Sequence, residues 1–154
     1  MIRYASKQDI PRIGDLLVQV NRVHYEGRPD IFKENRKYTD AELVTILADT
    51  DRPILVYTDE QDVVQGYAFC VLKQEKNSLL LTDIKTLYVD DLCVDEAQRG
   101  KRIGRALYDG VVALARELGC YNVTLNVWTC NPGAMQFYQA CGMQPQKIGM
   151  EQIL

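Results

Sequence analysis

From Leu92 to Leu107 the chain reads Leu92-Cys93-Val94-Asp95-Glu96-Ala97-Gln98-Arg99-Gly100-Lys101-Arg102-Ile103-Gly104-Arg105-Ala106-Leu107. An apolar run leads into a basic, glycine-punctuated turn, and the turn opens into an amphipathic pattern. A strand that turns directly into a helix aims backbone N–H groups and the positive end of the helix dipole at one point, which suits a phosphate. Arg99, Lys101, Arg102 and Arg105 add charge of the right sign, and Gly100 and Gly104 relax the steric limits on the turn. The same residues also suit an ordinary strand-to-helix turn with solvated basic side chains. Two familiar phosphate loops are excluded. Gly100-Lys101 is followed by Arg102, where a magnesium-binding P-loop needs Ser or Thr, and two glycines stand where the dinucleotide fingerprint has three. An anion here would be held by backbone and basic side chains, without a metal.

The elements that must position this turn follow from periodicity. Ile2 to Ala5 alternates as a short strand, and Ser6-Lys7-Gln8-Asp9 has capping-box spacing ahead of Pro11. Ile10, Ile13, Leu16, Leu17 and Val20 predict a helix from about Gln8 to Val20. Val23 to Lys37 shows no clear period. Thr39-Asp40-Ala41-Glu42 is a second capping box, opening a helix through Ala48. Strands are predicted at 53–58 and 63–72 around a polar turn, and again at 86–94, with Ser78 to Leu81 extending the same sheet. Ile103, Ala106, Leu107, Val111, Leu114, Ala115 and Leu118 mark a long helix that Gly119 stops. Tyr121 to Trp128 reads as a strand, Asn131 to Cys141 as a short helix with Asn131 as N-cap, and Lys147 to Leu154 as a weak last strand. The order β-α-α-β-β-β-α-β-α-β describes a single α/β domain over 1–154, a central sheet with helices on both faces.

Composition narrows the classes. At 154 residues, 47% hydrophobic and 25% charged, the chain can bury a real core. A net charge of −3 argues against a nucleic-acid partner. No apolar run approaches the roughly 20 residues of a membrane span, and no secretory leader opens the chain, so a soluble, cytoplasmic protein without a membrane partner is expected. The five cysteines (70, 93, 120, 130 and 141) form no C-x-x-C pair, and His24 is the one histidine. A Cys/His metal site and a histidine-activated cysteine nucleophile are both disfavoured, and the cysteines read as small hydrophobes.

A second constellation lies at Asn131-Pro132-Gly133-Ala134-Met135-Gln136-Phe137-Tyr138-Gln139-Ala140-Cys141-Gly142-Met143. Here the chain resembles the GNAT superfamily of N-acetyltransferases, which carries R/Q-x-x-G-x-G/A after its fourth strand and a later N-x-x-A-x-x-F-Y-x-x-x-G-F segment. Arg99 to Gly104 is similar to the first motif, with Arg102 at the usual middle glycine. Asn131, Ala134, Phe137, Tyr138 and Gly142 match the second, with Met143 replacing the phenylalanine. The spacing of the two motifs and the N-terminal Ile-Arg-x-Ala opening extend the resemblance over essentially the whole chain, and with it comes the expectation of a mixed, mostly antiparallel sheet.

The resemblance implies acetyl-CoA as co-substrate. Backbone groups of Leu92, Cys93 and Val94 would pair with the pantetheine arm, and N–H groups from Arg99, Gly100, Lys101, Arg102, Ile103, Gly104 and Arg105 would cradle the pyrophosphate, with Asn131 nearby. The two central strands would splay apart around the thioester. The acceptor would be a primary amine on a small molecule or peptide. An alkylamine is neutral in roughly one molecule in 2,500 at pH 7, so a base is needed. Asp90 and Asp91 are the candidate pair. Strand alternation puts them on opposite faces, and a similar acidic position in related polyamine acetyltransferases favours Asp90. The aspartates equally suit solvated edge charges or a structural hydrogen bond.

Tyr138 would stand near the departing sulfur. Full proton transfer from a phenol to a thiolate is uphill by about 2 kcal/mol, so hydrogen bonding to the thiolate matters as much as protonation. His24, Tyr25 and Phe32 fall where this superfamily forms its acceptor pocket, although His24 also suits a packing or surface role. Many relatives pair as homodimers. A catalytically silent CoA-binding sensor or scaffold is the alternative reading, and a module of that kind would need neither Tyr138 nor the acidic pair.

Overall fold

The structure, a computed structural model, describes all residues 1–154. Its elements run β1 (Ile2–Tyr4), α1 (Ile10–Gly27), α2 (Asp40–Leu47), β2 (Ile54–Thr58), β3 (Val64–Gln74), β4 (Lys85–Val94), α3 (Ile103–Glu117), β5 (Asn122–Leu125) and α4 (Pro132–Ala140). The sheet order is β1-β2-β3-β4-β5. Neighbours are antiparallel except β4 and β5, which are parallel and joined through α3. No helix is long and apolar enough to cross a membrane.

Each face of the sheet buries its own apolar cluster. On one face Leu16 and Leu17 of α1 and Leu43 of α2 pack on Val56, Tyr67 and Phe69. On the other, Leu107 and Val111 of α3 pack on Leu55, Ala68, Leu87 and Val89. Gly66 lets β3 and β4 approach closely under α3, since a Cβ there would lie 2.8 Å from the Cys93 carbonyl oxygen and 3.1 Å from the Leu107 side chain.

Four sequence expectations need correction. The first helix runs seven residues past Val20, to Gly27. Its inner face continues with His24, whose ring stacks on Phe32, so an aromatic contact replaces the aliphatic period. The helix ends where Pro29 forces Arg28 out of the helical region. Ser78 to Leu81 is an exposed turn and adds no strand; the Ser78 hydroxyl accepts the N–H groups of Leu80 and Leu81 at 3.1 and 3.0 Å. The strand expected over 121–128 is only Asn122–Leu125. Finally, 147–154 forms no strand, and beyond Met143 no residue makes a backbone hydrogen bond within the chain. Alternation can suggest a strand, but it cannot supply the neighbouring ladder that satisfies one.

Candidate active site

The turn after β4 is built on Asp95. Its buried carboxylate accepts from the Ala97 N–H at 3.1 Å and from Gln19 at 3.3 Å, and pairs with Arg12. Burial opposes ionisation there, but these donors hold the carboxyl below its usual range. A short 3-10 turn (Glu96–Gln98) follows, then Gly100 at φ +84° and Arg102 at φ +60°, ψ 19°, before α3 begins at Ile103. Arg102 thus occupies the left-handed region that the family glycine would reach without a Cβ penalty.

The turn lines an open cleft of about 360 Å³, shared with Val94 and with Phe137 of α4. Gly104 admits the Phe137 ring, whose edge would lie 3.3 Å from a Cβ at that position. Arg99, Arg102 and Arg105 border the cleft, with Arg105 already paired to Asp109 at 2.9 Å. Lys101 lies outside the lining and donates to Gln98 at 2.6 Å. Asn131 caps α4, accepting the Ala134 N–H at 3.3 Å.

Beside the turn, β4 carries a bulge. Phe69 of β3 pairs with Asp91 and Cys70 with Val89, so Asp90 is the extra residue. The bulge inverts the parity of the strand. Leu87 and Val89 belong to the α3-side core, whereas Cys93 belongs to the α1–α2 side. Consequently Asp90 and Asp91 both project toward α1 and α2, which corrects the expectation that they face opposite ways. Asp90 is clamped: its Oδ1 lies 3.0 Å from the Lys37 ammonium and its Oδ2 accepts from the Tyr38 hydroxyl at 2.5 Å. Asp91 accepts from the Tyr67 hydroxyl at 2.9 Å. Burial pushes the Asp91 carboxyl up to about 6, partly offset by the Lys37 charge and the Tyr67 hydrogen bond.

The gap itself is visible in the pairing. β5 pairs with β4 only from Thr86 to Val89, where it ends at Leu125, while β4 continues to Val94. The β4 edge at Leu92, Cys93 and Val94 therefore has no strand on that side. The Cys93 side chain is buried and its backbone faces Tyr67 of β3, so the backbone groups turned to the open edge are those of Leu92 and Val94 on either side of it. Tyr138 on α4 packs against Phe137 at 5.0 Å between ring centroids. Burial, and then the nearby Asp91 charge, push its hydroxyl well above the ordinary phenol value.

On the α1 side, His24 stacks on Phe32 at 5.1 Å and Phe32 meets Trp128 edge-on at 5.1 Å. Gly27 lets the end of α1 dock on the β5–α4 loop, since a Cβ there would meet the Cys130 sulfur at 2.6 Å. His24 Nδ1 is buried with no hydrogen-bond partner, and burial, aided by Lys37, lowers the imidazole pKa. Tyr25 joins neither the ring stack nor any side-chain hydrogen bond.

Four side chains at this site escape a sequence reading. Trp128 is mistaken for a strand end, Lys37 and Tyr38 sit in or beside the unperiodic segment, and Tyr67 looks like any inward-facing strand residue. A tyrosine at an inward position, where phenylalanine would pack as well, is the only signal for the last.

The profile of the acetyltransferase (GNAT) family matches residues 16–143 of this chain. Glucosamine 6-phosphate N-acetyltransferase 1 of Oryza sativa subsp. japonica is 36% identical over 63 residues, which are 41% of this chain and 36% of that protein. The match therefore spans well under half the length of this curated relative. Among solved structures, a mutant of the BH1408 protein from Bacillus halodurans is 31% identical, with 100% of this chain and 99% of that chain covered and a TM-score of 0.96. A glucosamine-6-phosphate N-acetyltransferase from Arabidopsis thaliana superposes with a TM-score of 0.74 at 22% identity, over 99% of this chain and 97% of that one, a likeness of fold.

Proposed function

This chain belongs to the acetyltransferase (GNAT) family, and on that premise we propose that it moves an acetyl group from acetyl-CoA to a primary amine of a small molecule or peptide, by direct attack within a ternary complex. The observation that carries the reading is the unpaired β4 edge, which runs from the two carboxylates to the basic turn. The turn suits the donor's phosphates: the N–H groups of 99–105 make no hydrogen bond within the chain, and Arg99, Gly100, Arg102, Gly104 and Arg105 line the cleft. Leu92 and Val94, with Cys93 paired to β3 between them, turn their backbone groups to an amide-bearing arm. Bound there, acetyl-CoA supplies the activated thioester.

The chain's own residues do the rest. An N–H of the bulge near Leu92 polarises the thioester carbonyl. Asp91 takes the proton of the incoming amine. It suits that task better than Asp90, because both oxygens of Asp90 are engaged by Lys37 and Tyr38, while Asp91 has a raised basicity near the operating pH. Tyr138 stands by the sulfur as the C–S bond breaks and donates to the thiolate. His24, Phe32 and Trp128 form the wall against which the acceptor's carbon skeleton rests. The domain acts as one unit over 1–154, and five free cysteines suit a reducing cytoplasm.

Release of thiol from acetyl-CoA across a panel of amines tests the reading. The panel spans glucosamine 6-phosphate, polyamines, aminoglycosides, amino acids and peptide N-termini. Saturable turnover with at least one of them is expected. CoA binding with no turnover on any amine would instead favour a silent CoA-binding module.

A further inference from the structure

Tyr67 is fully buried on β3, and its ring meets Phe69 edge-on at 4.9 Å. A phenylalanine would satisfy that packing. A buried hydroxyl is tolerated only when it is hydrogen-bonded, and this one donates across the strand pair to Asp91 Oδ2 at 2.9 Å. The acceptor is paired opposite Phe69 and directly follows the bulged Asp90, which turns its carboxylate to the Tyr67 side of the sheet. Asp91 Oδ1 accepts from no side chain. One oxygen of the carboxylate is therefore anchored from beneath, and the other is left for exchange.

We propose that Tyr67 is a positioning residue for acid–base chemistry at Asp91: its hydroxyl anchors Oδ2 and holds the carboxylate beside the bulge in one orientation, leaving Oδ1 to exchange the proton of the acceptor amine. The proposal rests on the acetyltransferase reading above. The charged and titratable groups that face Asp91 are Tyr67 from β3, Asp90 and Cys93 from β4, Lys37 from the segment before α2, and Tyr138 from α4. Of these, Tyr67 donates the direct side-chain hydrogen bond. Lys37 is committed to Asp90.

The test compares the wild-type chain, Tyr67→Phe, and the chain carrying 3-fluorotyrosine at position 67. A donor to the ionised carboxylate lowers its pKa, so its removal raises it. In Tyr67→Phe the acidic limb of kcat/KM against pH moves up by about one unit, and kcat falls about tenfold while KM for acetyl-CoA holds. The fluorinated ring, a stronger donor of nearly the same shape, moves the limb down. Titration of the ¹³C-labelled Asp91 carboxyl by NMR shows the same shifts without any substrate. Loss of kcat with an unmoved limb and an unmoved carboxyl titration would overturn the proposal, and the fluorinated chain decides the matter if Tyr67→Phe folds poorly. Absence of wild-type turnover on every amine would instead defeat the acetyltransferase reading, while the NMR titration still reads the Tyr67–Asp91 pairing.

Discussion

Asp90 and Asp91 share a face of the sheet but not an environment: Asp90 is held by the Lys37 ammonium and the Tyr38 hydroxyl, and Asp91 takes its side-chain hydrogen bond from the Tyr67 hydroxyl. The bulge creates the shared face, and the ion pair divides the roles. A carboxylate locked to an ammonium is a structural charge. Its neighbour, driven toward neutrality by burial, is free to carry a proton.

Asp91→Asn is expected to stabilise the fold while crippling turnover. The folded carboxyl titrates near about 6, above the roughly 3.9 of an unfolded aspartate, so the folded chain binds this proton more tightly. Its contribution is fully present below about pH 4 and is lost as the pH rises through about 6. The amide cannot ionise, so the variant gains about 2 kcal/mol at pH 7.5, and its stability is flatter between pH 4 and 6. Urea unfolding at several pH values checks this, alongside the thiol-release rate.

Tyr138→Phe should lower kcat roughly 10²-fold with little change in CoA affinity. The ring keeps its contact with Phe137, and only the hydroxyl, the proposed donor to the leaving sulfur, is lost. Isothermal titration with CoA and steady-state rates separate the two quantities. Unchanged turnover would remove Tyr138 from the mechanism.

Arg102→Gly relieves a left-handed residue that costs about 1 kcal/mol, so the melting temperature should rise. The N–H groups proposed to bind the anion are backbone, and CoA affinity should fall by no more than the loss of one exposed charge allows. Calorimetry and CoA titration at two salt concentrations distinguish strain from charge.

Gly66→Ala should destabilise by about 2 kcal/mol. The new Cβ would press on the Cys93 backbone carbonyl at 2.8 Å, where no flexible side chain can yield. On the proposal that CoA lies along Leu92 and Val94, a displaced β4 should lower CoA affinity as well.

Asp9→Asn should act with the opposite pH sense to Asp91→Asn. Two Arg3 hydrogen bonds, at 2.8 and 2.9 Å, hold the buried Asp9 carboxyl below its ordinary range. Its stabilisation is present above about pH 4 and is lost as the pH falls through the folded value. Breaking the pair should cost about 3 kcal/mol at pH 7 and much less near pH 3. Thermal melts at the two pH values are the measurement.

Local chemistry made much of this protein legible from its residues alone. Helix starts at Thr39 and Asn131 follow from side-chain oxygens placed to accept nearby N–H groups, and both caps are present. The stop at Gly119 follows from a left-handed φ of +72°. The helical period of α3 picks out the side chains it buries, and the Arg99–Gly104 turn sits where a strand and a helix N-terminus must meet. Other features depended on neighbours far away in the chain. No period marks α1 from Val23 onward, because His24 packs against an aromatic ring brought to it by the fold. The 147–154 segment has a strand's composition but no strand beside it. Above all, the two aspartates obey alternation only if β4 and β3 keep register. One unpaired residue broke that register, put both carboxylates on one side, and let Lys37, Tyr38 and Tyr67, distant in sequence, decide which of them is held in an ion pair and which is left without one.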